Sequence, residues 1–389
     1  MVSLNKSMNF EFATANRIIF GNGKRFQAVE SVRKFAKNIL VVTGSNPHRA
    51  DWLFRQLDSA SLHYHIASVT NEPDINIVSQ ITEKVRLEKS DALMAIGGGS
   101  VIDTAKAVAA LANNPDDIFN YLEVIGNGNP LQKKPLPLIA LPTTAGTGSE
   151  VTRNAVLASR QHQIKVSLRH RWMIPDVAIV DPELTLTVPP AVTASSGLDA
   201  LTQLIEAFIT KYHNPLVDGI CREGIRRAAS SLQIALRNGS DLHARGNMCL
   251  ASLFGGLALA NAKLGAVHGF AGPIGGLFNA PHGMICARLL PLVIHTNITA
   301  LKSRRPDSSL LKRYAEVDRI ITAETGTAGL SEWLGDLYQE LPIRPLRFYG
   351  MTSTDIPLII EKARKSSSMQ GNPIELNQSE LTDILTQAL

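Results

Sequence analysis

Short apolar runs punctuate the first half of the chain, and amphipathic stretches separate them. The runs are "NILVVTG" (38–44), "LHYHIASV" (62–69), "DALMAIGGG" (91–99) and "LPLIALPTT" (136–144). Each is strand-sized, and three of them close on Gly or Thr. Between them, "ADWLFRQLDSA", "INIVSQITEKVRLEK" and "SVIDTAKAVAAL" repeat apolar residues at helical spacing. Buried strands alternating with helices predict a parallel sheet covered on both faces. After "DVAIVDPELTLTVPP" (176–190) the pattern changes. Helices are expected over 193–211, 215–236 and 242–262, and onward to the C-terminus. Pro189 and Pro190 punctuate the change. The expected architecture is therefore a dinucleotide-binding type α/β domain over 1–189, followed by an all-helical domain over 190–389. Ligands of such sheets sit in the crevice at the C-terminal strand ends.

Composition narrows the partners. The 389 residues are 44% hydrophobic and 19% charged, with a net charge of +5. Basic residues are scattered, "RRPDSSLLKR" being the densest patch, so nucleic acid is not an expected partner. The run "CLASLFGGLALA" is shorter than the roughly 18–20 residues of a membrane span. The polar N-terminus does not read as a signal peptide. Three cysteines without a CxxC argue against a disulfide framework. A cytoplasmic protein with no membrane partner is the expectation.

Two loops carry candidate chemistry. In "AIGGGSVIDTAK", Gly97, Gly98 and Gly99 permit close backbone approach, and Ser100 opens a helix whose N-terminus favours anions. The turn reads either as a pyrophosphate cradle or as a tight strand-to-helix connection. In "LPTTAGTGSE", the hydroxyls of Thr143, Thr144, Thr147 and Ser149 suit phosphate, ribose or nicotinamide groups, or simply shape a turn. The first of the apolar runs ends in Gly44, Ser45 and Asn46, with His48 and Arg49 beyond. An acidic residue there would bind ribose hydroxyls and repel a 2′-phosphate. Its absence favours NADP over NAD.

A third constellation is metal-like. Asp199 and Gln203 lie four residues apart in "GLDALTQLIEAF", on one helix face. His268 and His282 follow among Gly, Ala and Pro. Asp199, His268 and His282 make three ligands suited to a catalytic divalent ion, and Gln203 adds a weaker amide oxygen. Glu206, three residues past Gln203, reads as a partner behind the ligands or, more simply, as an exposed helix charge.

Together, "FGNG", "GGGSVIDTAK", "PTTAGTGSEVT", "PDVAIVDPELT", "GLDALTQLIEAF", "GAVHGFAGPIGGLFNAPHG" and "SSSMQGNP" resemble the iron-containing (group III) alcohol dehydrogenases, in collinear order over nearly the whole chain. The resemblance implies hydride transfer between NAD(P)H and a small aldehyde or alcohol, in a cleft between the two domains. It implies an Fe or Zn ion on Asp199, Gln203, His268 and His282. It places pyrophosphate contacts at Gly98, Gly99 and Ser100, and further cofactor contacts at Thr143, Thr144, Thr147 and Ser149. Lys165 falls beside the nicotinamide ribose, which with His268 and His282 makes three catalytic candidates. Asp103 and Lys106 share the fingerprint and read as structural. A homodimer, formed through "NRIIFGNG", is a family trait.

Two positions depart from the family. Gln203 stands where histidine is usual, and Gly272 stands where a further active-site histidine is usual. The first predicts a weakened metal site. The second predicts a roomier pocket, suited to a bulkier aldehyde or a keto acid, with Phe254, Phe270 and Phe278 as wall or core. A metal-independent reductase of the maleylacetate reductase type, and a cofactor-binding protein with a degenerate site, are the alternatives. A dehydroquinate synthase-like lyase would need a basic pocket, which the scattered Lys and Arg do not supply.

Overall fold

The structure, a computed structural model, describes residues 9–389 apart from Asn71, Gln163, Asn279 and Pro342. Its strands are β1 (Arg17–Phe20), β2 (Asn38–Thr43), β3 (His63–Ser68), β4 (Ala92–Gly97), β5 (Leu138–Pro142), β6 (Asn154–Ser159), β7 (Ile164–Arg169) and β8 (Val177–Val180). Helices α1 (Ala28–Val32), α2 (Asp51–Ser59), α3 (Ile75–Leu87) and α4 (Gly99–Asn113) alternate with them. Six strands form one parallel sheet in the order β1-β8-β5-β4-β2-β3.

The unbroken apolar runs follow from burial on both faces. In β2, Ile39 and Val41 pack with Val32, Leu53 and Leu57 of α1 and α2. Their neighbours Leu40 and Val42 pack with Val78, Val85, Val101 and Val108 of α3 and α4. Successive side chains point to opposite faces, so a doubly covered strand has no polar side to show. The chain turns back between β2 and β4, where Thr43 is in register with Ile96. Gly97 is in register with Pro142 on the other side of β4. The loops after β2, β4 and β5 therefore emerge side by side at this switch point, where open α/β sheets bind ligands.

Among the elements not anticipated are the short β1, the strand β8 that it pairs with at the sheet edge, and the antiparallel hairpin β6–β7. Its strands alternate buried and accessible positions, as a one-face-covered strand does. The network of "GGGSVIDTAK" anchors it. Lys106 is fully buried and donates to the Ser149 carbonyl (3.0 Å), Thr152 Oγ1 (3.0 Å) and the Asn154 carbonyl (2.5 Å). Asp103 accepts from the Val156 amide (2.9 Å) and pairs with Lys106 (2.9 Å). Both residues thus tie the hairpin to α4, and Asp103 also lines the cleft beside Ser100.

From Pro190 onward the described chain is helical: α5 (Pro190–Ile209), α6 (Pro215–Arg237), α7 (Leu242–Asn261), α8 (Ala266–Leu277), α9 (His282–Arg304), α10 (Ser309–Thr325), α11 (Leu330–Glu340), α12 (Ile356–Arg364) and α13 (Gln378–Ala388). Helix α5 begins three residues before the expected 193, because Pro190 occupies its first turn, where a missing N–H costs nothing. It is the core helix: Leu201, Leu204, Ile205 and Phe208 pack against Ile225 and Leu232 of α6 and Leu289 and Leu290 of α9. Among the described residues α9 alone is long and apolar enough by composition to cross a membrane, and 56% of that window is buried inside the protein. It contacts α5, α8 and α13.

Candidate active site

Two helix starts and one helix middle meet below the C-terminal edge of the sheet. Asp199 and Gln203 lie mid-way along α5. His268 is in the first turn of α8, and His282 is the first residue of α9. Gly283 makes the α9 start fit, since a Cβ there would fall 1.8 Å from the Ser195 carbonyl oxygen of α5. The two backbones touch, and His282 is delivered to Asp199.

The donor atoms converge. His268 Nε2 lies 3.3 Å and His282 Nε2 3.5 Å from Asp199 Oδ1. Cys286, on α9 one turn after His282, brings its Sγ to 3.7 Å from Asp199 Oδ1 and 4.0 Å from His268 Nε2. All four donor atoms lie within 4.8 Å of one another. On the far side of the His268 ring, Nδ1–H donates to Glu206 Oε2 (2.7 Å). Glu206 also accepts from the backbone amides of Val267 (2.7 Å) and His268 (3.3 Å). It therefore caps α8 and fixes the imidazole orientation in one stroke. With Nδ1–H committed to Glu206, a neutral His268 faces Asp199 with a lone pair. In that form the lone pair and the carboxylate oxygen, 3.3 Å apart, are a pair of donors that a cation can share. The residues present thus fit a divalent metal.

The electrostatics agree. Burial pushes the Asp199 carboxyl up, but His282, His268 and the Thr147 hydroxyl outweigh it and hold it below its ordinary value. Burial pushes both imidazoles down, yet Cys286 and Asp199 carry them above the ordinary histidine value. Burial likewise raises the Cys286 thiol, and the two imidazoles bring it below its usual value. The acids and the imidazoles thus favour one another's charged forms, as closely packed opposite charges do.

The cluster opens on a cleft of about 650 Å³. Asp199 and His282 line it from the helical side, and Gly99, Ser100, Thr144 and Thr147 from the sheet side. Phe348, Tyr349, Met284 and Val192 supply its apolar wall. The two loops face each other: a Cβ on Gly98 would lie 3.3 Å from Thr144 Oγ1, and one on Gly99 3.5 Å from Thr147 Oγ1. Gly148, with φ +64, lets the hydroxyl loop run against Gly256 of α7. Lys165 reaches the cleft from β7 and pairs with Glu72. Thr143 follows β5, its amide donating to the Gly97 carbonyl (2.9 Å). Gly44, Ser45 and Asn46 lie beyond the cleft, at the end of β2, where Asn46 Oδ1 caps the next turn.

Several expectations change. Glu206 is not an exposed helix charge: it is 2% exposed, because α8 needs a cap and His268 a partner. Ser149 is also buried, and its hydroxyl is committed to Asp103 rather than turned to the cleft. Gln203 is buried, and its amide Nε2 donates to the Thr147 carbonyl (3.0 Å). Phe270 is core, and Phe254 and Phe278 pack partly buried against that core. A Cβ on Gly272 would meet nothing within 4 Å among the described residues. Cys286 was missed, although "HGMIC" places it at i+4 from His282, on the same helix face.

Comparison with known proteins follows the same lines. The family profile "Iron-containing alcohol dehydrogenase" matches residues 15–182. The profile "Fe-containing alcohol dehydrogenase family, C-terminal" matches residues 193–389. Alcohol dehydrogenase 4 of Schizosaccharomyces pombe is 33% identical over 378 residues, covering 95% of this chain and 87% of that protein. A solved 1,3-propanediol oxidoreductase is similar with a TM-score of 0.88 at 31% identity, over 98% of this chain and 100% of its own. Sulfoacetaldehyde reductase from Bifidobacterium kashiwanohense, solved in complex with NAD+, has a TM-score of 0.85 at 29% identity, over 98% of each chain.

Proposed function

We propose that this chain, which belongs to the iron-containing alcohol dehydrogenase family, transfers a hydride between NAD(P)H and a small aldehyde or alcohol. The observation that carries this reading is that one cleft is lined by the α4 N-terminus and by the metal-type cluster. Asp199, His268 and His282 would hold the ion. A divalent metal such as iron or zinc polarises a carbonyl oxygen, or lowers the pKa of an alcohol, when bound there.

The protein's own residues then do the positioning. The first turn of α4, at Gly98, Gly99 and Ser100, receives the pyrophosphate through backbone N–H groups and the helix dipole. Thr143, Thr144 and Thr147 take the ribose and nicotinamide groups. Lys165 releases Glu72 to meet the nicotinamide ribose. The side chain of His282 is 38% exposed, unlike that of His268 at 8%, so it is the imidazole that substrate meets. The aromatic pair Phe348 and Tyr349 excludes water from the reacting atoms. Holding the substrate carbon against the dihydronicotinamide ring in this way removes several kcal/mol from the barrier.

NADP(H) is the preferred form. Gly44 has open space about it, where a 2′-phosphate would fit. We divide the chain at 189/190 into a cofactor domain and a metal and substrate domain. It acts in the cytoplasm, where three buried thiols remain reduced, as a homodimer joined at the outer edge of β1, which no described strand covers.

Deuteride transfer tests the reading. NADPH carrying deuterium at C4, incubated with metal-loaded protein and a panel of small aldehydes, should yield alcohol labelled once at C1. Absence of labelled alcohol across the panel at saturating cofactor would leave a binding protein only.

A further inference from the structure

We infer that Cys286 is a protein ligand of the metal, beside Asp199, His268 and His282. The inference rests on the metal-dependent reading above and concerns which side chains complete the site.

Distances carry it first. A tetrahedral ion with bonds of about 2.0–2.3 Å to N, O and S separates its donors by roughly 3.4–3.7 Å. The separations here are 3.3 Å (His268–Asp199), 3.5 Å (His282–Asp199), 3.7 Å (Cys286–Asp199) and 4.0 Å (Cys286–His268). Four of the six edges of a coordination tetrahedron thus come within about 0.5 Å of that range, the sulfur edges being the longest, as a longer metal–sulfur bond requires, and all four donor atoms lie within 4.8 Å of one another. Gln203 directs its amide N–H elsewhere, to the Thr147 carbonyl.

Burial carries it second. Cys286 is fully buried. It therefore closes the inner side of the site, while Asp199 and His282 face the cleft and leave substrate its approach. A soft sulfur donor with two imidazoles also shifts selectivity toward zinc and away from hard oxygen-loving ions.

Cobalt(II) reports sulfur ligation directly. Metal-stripped full-length protein would be titrated with one equivalent of cobalt(II), and zinc affinity measured by chelator competition. The expected result is an intense thiolate-to-cobalt charge-transfer band in the near ultraviolet. Cys286→Ser should abolish the band and weaken zinc by on the order of 10-fold or more, at least the loss that outer-shell partners cause. Gln203→Ala should keep the band and most of the affinity. Stoichiometric cobalt binding by the natural protein without the band would overturn the inference and leave the metal-dependent reading intact. Failure to bind cobalt at all would overturn both. The spectrum of the unsubstituted protein decides even if Cys286→Ser folds poorly.

Discussion

The amide of Gln203 donates to the carbonyl oxygen of Thr147, 3.0 Å away, and Thr147 in turn donates its hydroxyl to Asp199 Oδ2 at 3.3 Å. A residue in line with the metal-type cluster thus ties the hydroxyl loop to α5. Its loss should act on the loop more than on the ion. Gln203→Ala removes a hydrogen bond worth about 1 kcal/mol. The KM for the nicotinamide cofactor should rise by roughly five-fold, while metal content per chain stays unchanged. Steady-state kinetics with metal analysis of the same samples measures both. Gln203→His should likewise add little affinity, since Cys286 already completes the set.

Glu206 governs His268. Glu206→Gln leaves an amide against Nδ1 and weakens the cap on Val267 and His268. Metal affinity should fall on the order of 10- to 100-fold, as for carboxylates that orient metal-binding imidazoles. Stability should fall by about 1–3 kcal/mol, since buried groups lose partners. Chelator competition and urea denaturation read the two effects.

The strands and the cluster were differently legible. Runs such as "NILVVTG" announce doubly buried strands because both faces are apolar, and every one expected in the first half is present. The hairpin β6–β7 was hidden, since "NAVLAS" and "IKVSLR" are short and hold mixed residues. Its place depends on Lys106 and Asp103, which are far away in sequence. Asp199, His268 and His282 could be named from type and setting. Cys286 and Glu206 could not be weighed without the packing of α5, α8 and α9, because a buried cysteine is usually plain core and a helix glutamate usually solvated.

On the proposed preference for NADP(H), Gly44 is the position that sets cofactor choice. A side chain there meets no described atom within 4 Å, and so Gly44→Asp should fold normally. The new carboxylate would repel a 2′-phosphate and accept ribose hydroxyls. Catalytic efficiency with NADPH should fall at least about 10-fold, a cost of roughly 1.4 kcal/mol, while NADH is retained or improved. Paired kinetics with the two cofactors decide it.

Glu150 makes the fold sensitive to pH. Burial raises its carboxyl from the ordinary 4.5 to about 7, against the pull of Lys106. A folded pKa above the unfolded one means that this group's contribution is fully present below about pH 4.5 and is lost as pH rises through about 7. By pH 8 the buried carboxylate should cost roughly 3 kcal/mol. Glu150→Gln should therefore melt higher than the natural protein at pH 8 and close to it at pH 5. Thermal denaturation across that range measures the difference.

Metal dependence of turnover is the most direct test of the whole account. Protein stripped by chelator and freed of it would be titrated with zinc or ferrous ion while NADPH-dependent aldehyde reduction is followed. Turnover should be negligible without metal and rise linearly to a break at one ion per chain, with His282→Ala showing no such rise. Full turnover in protein shown by elemental analysis to hold no metal would contradict it.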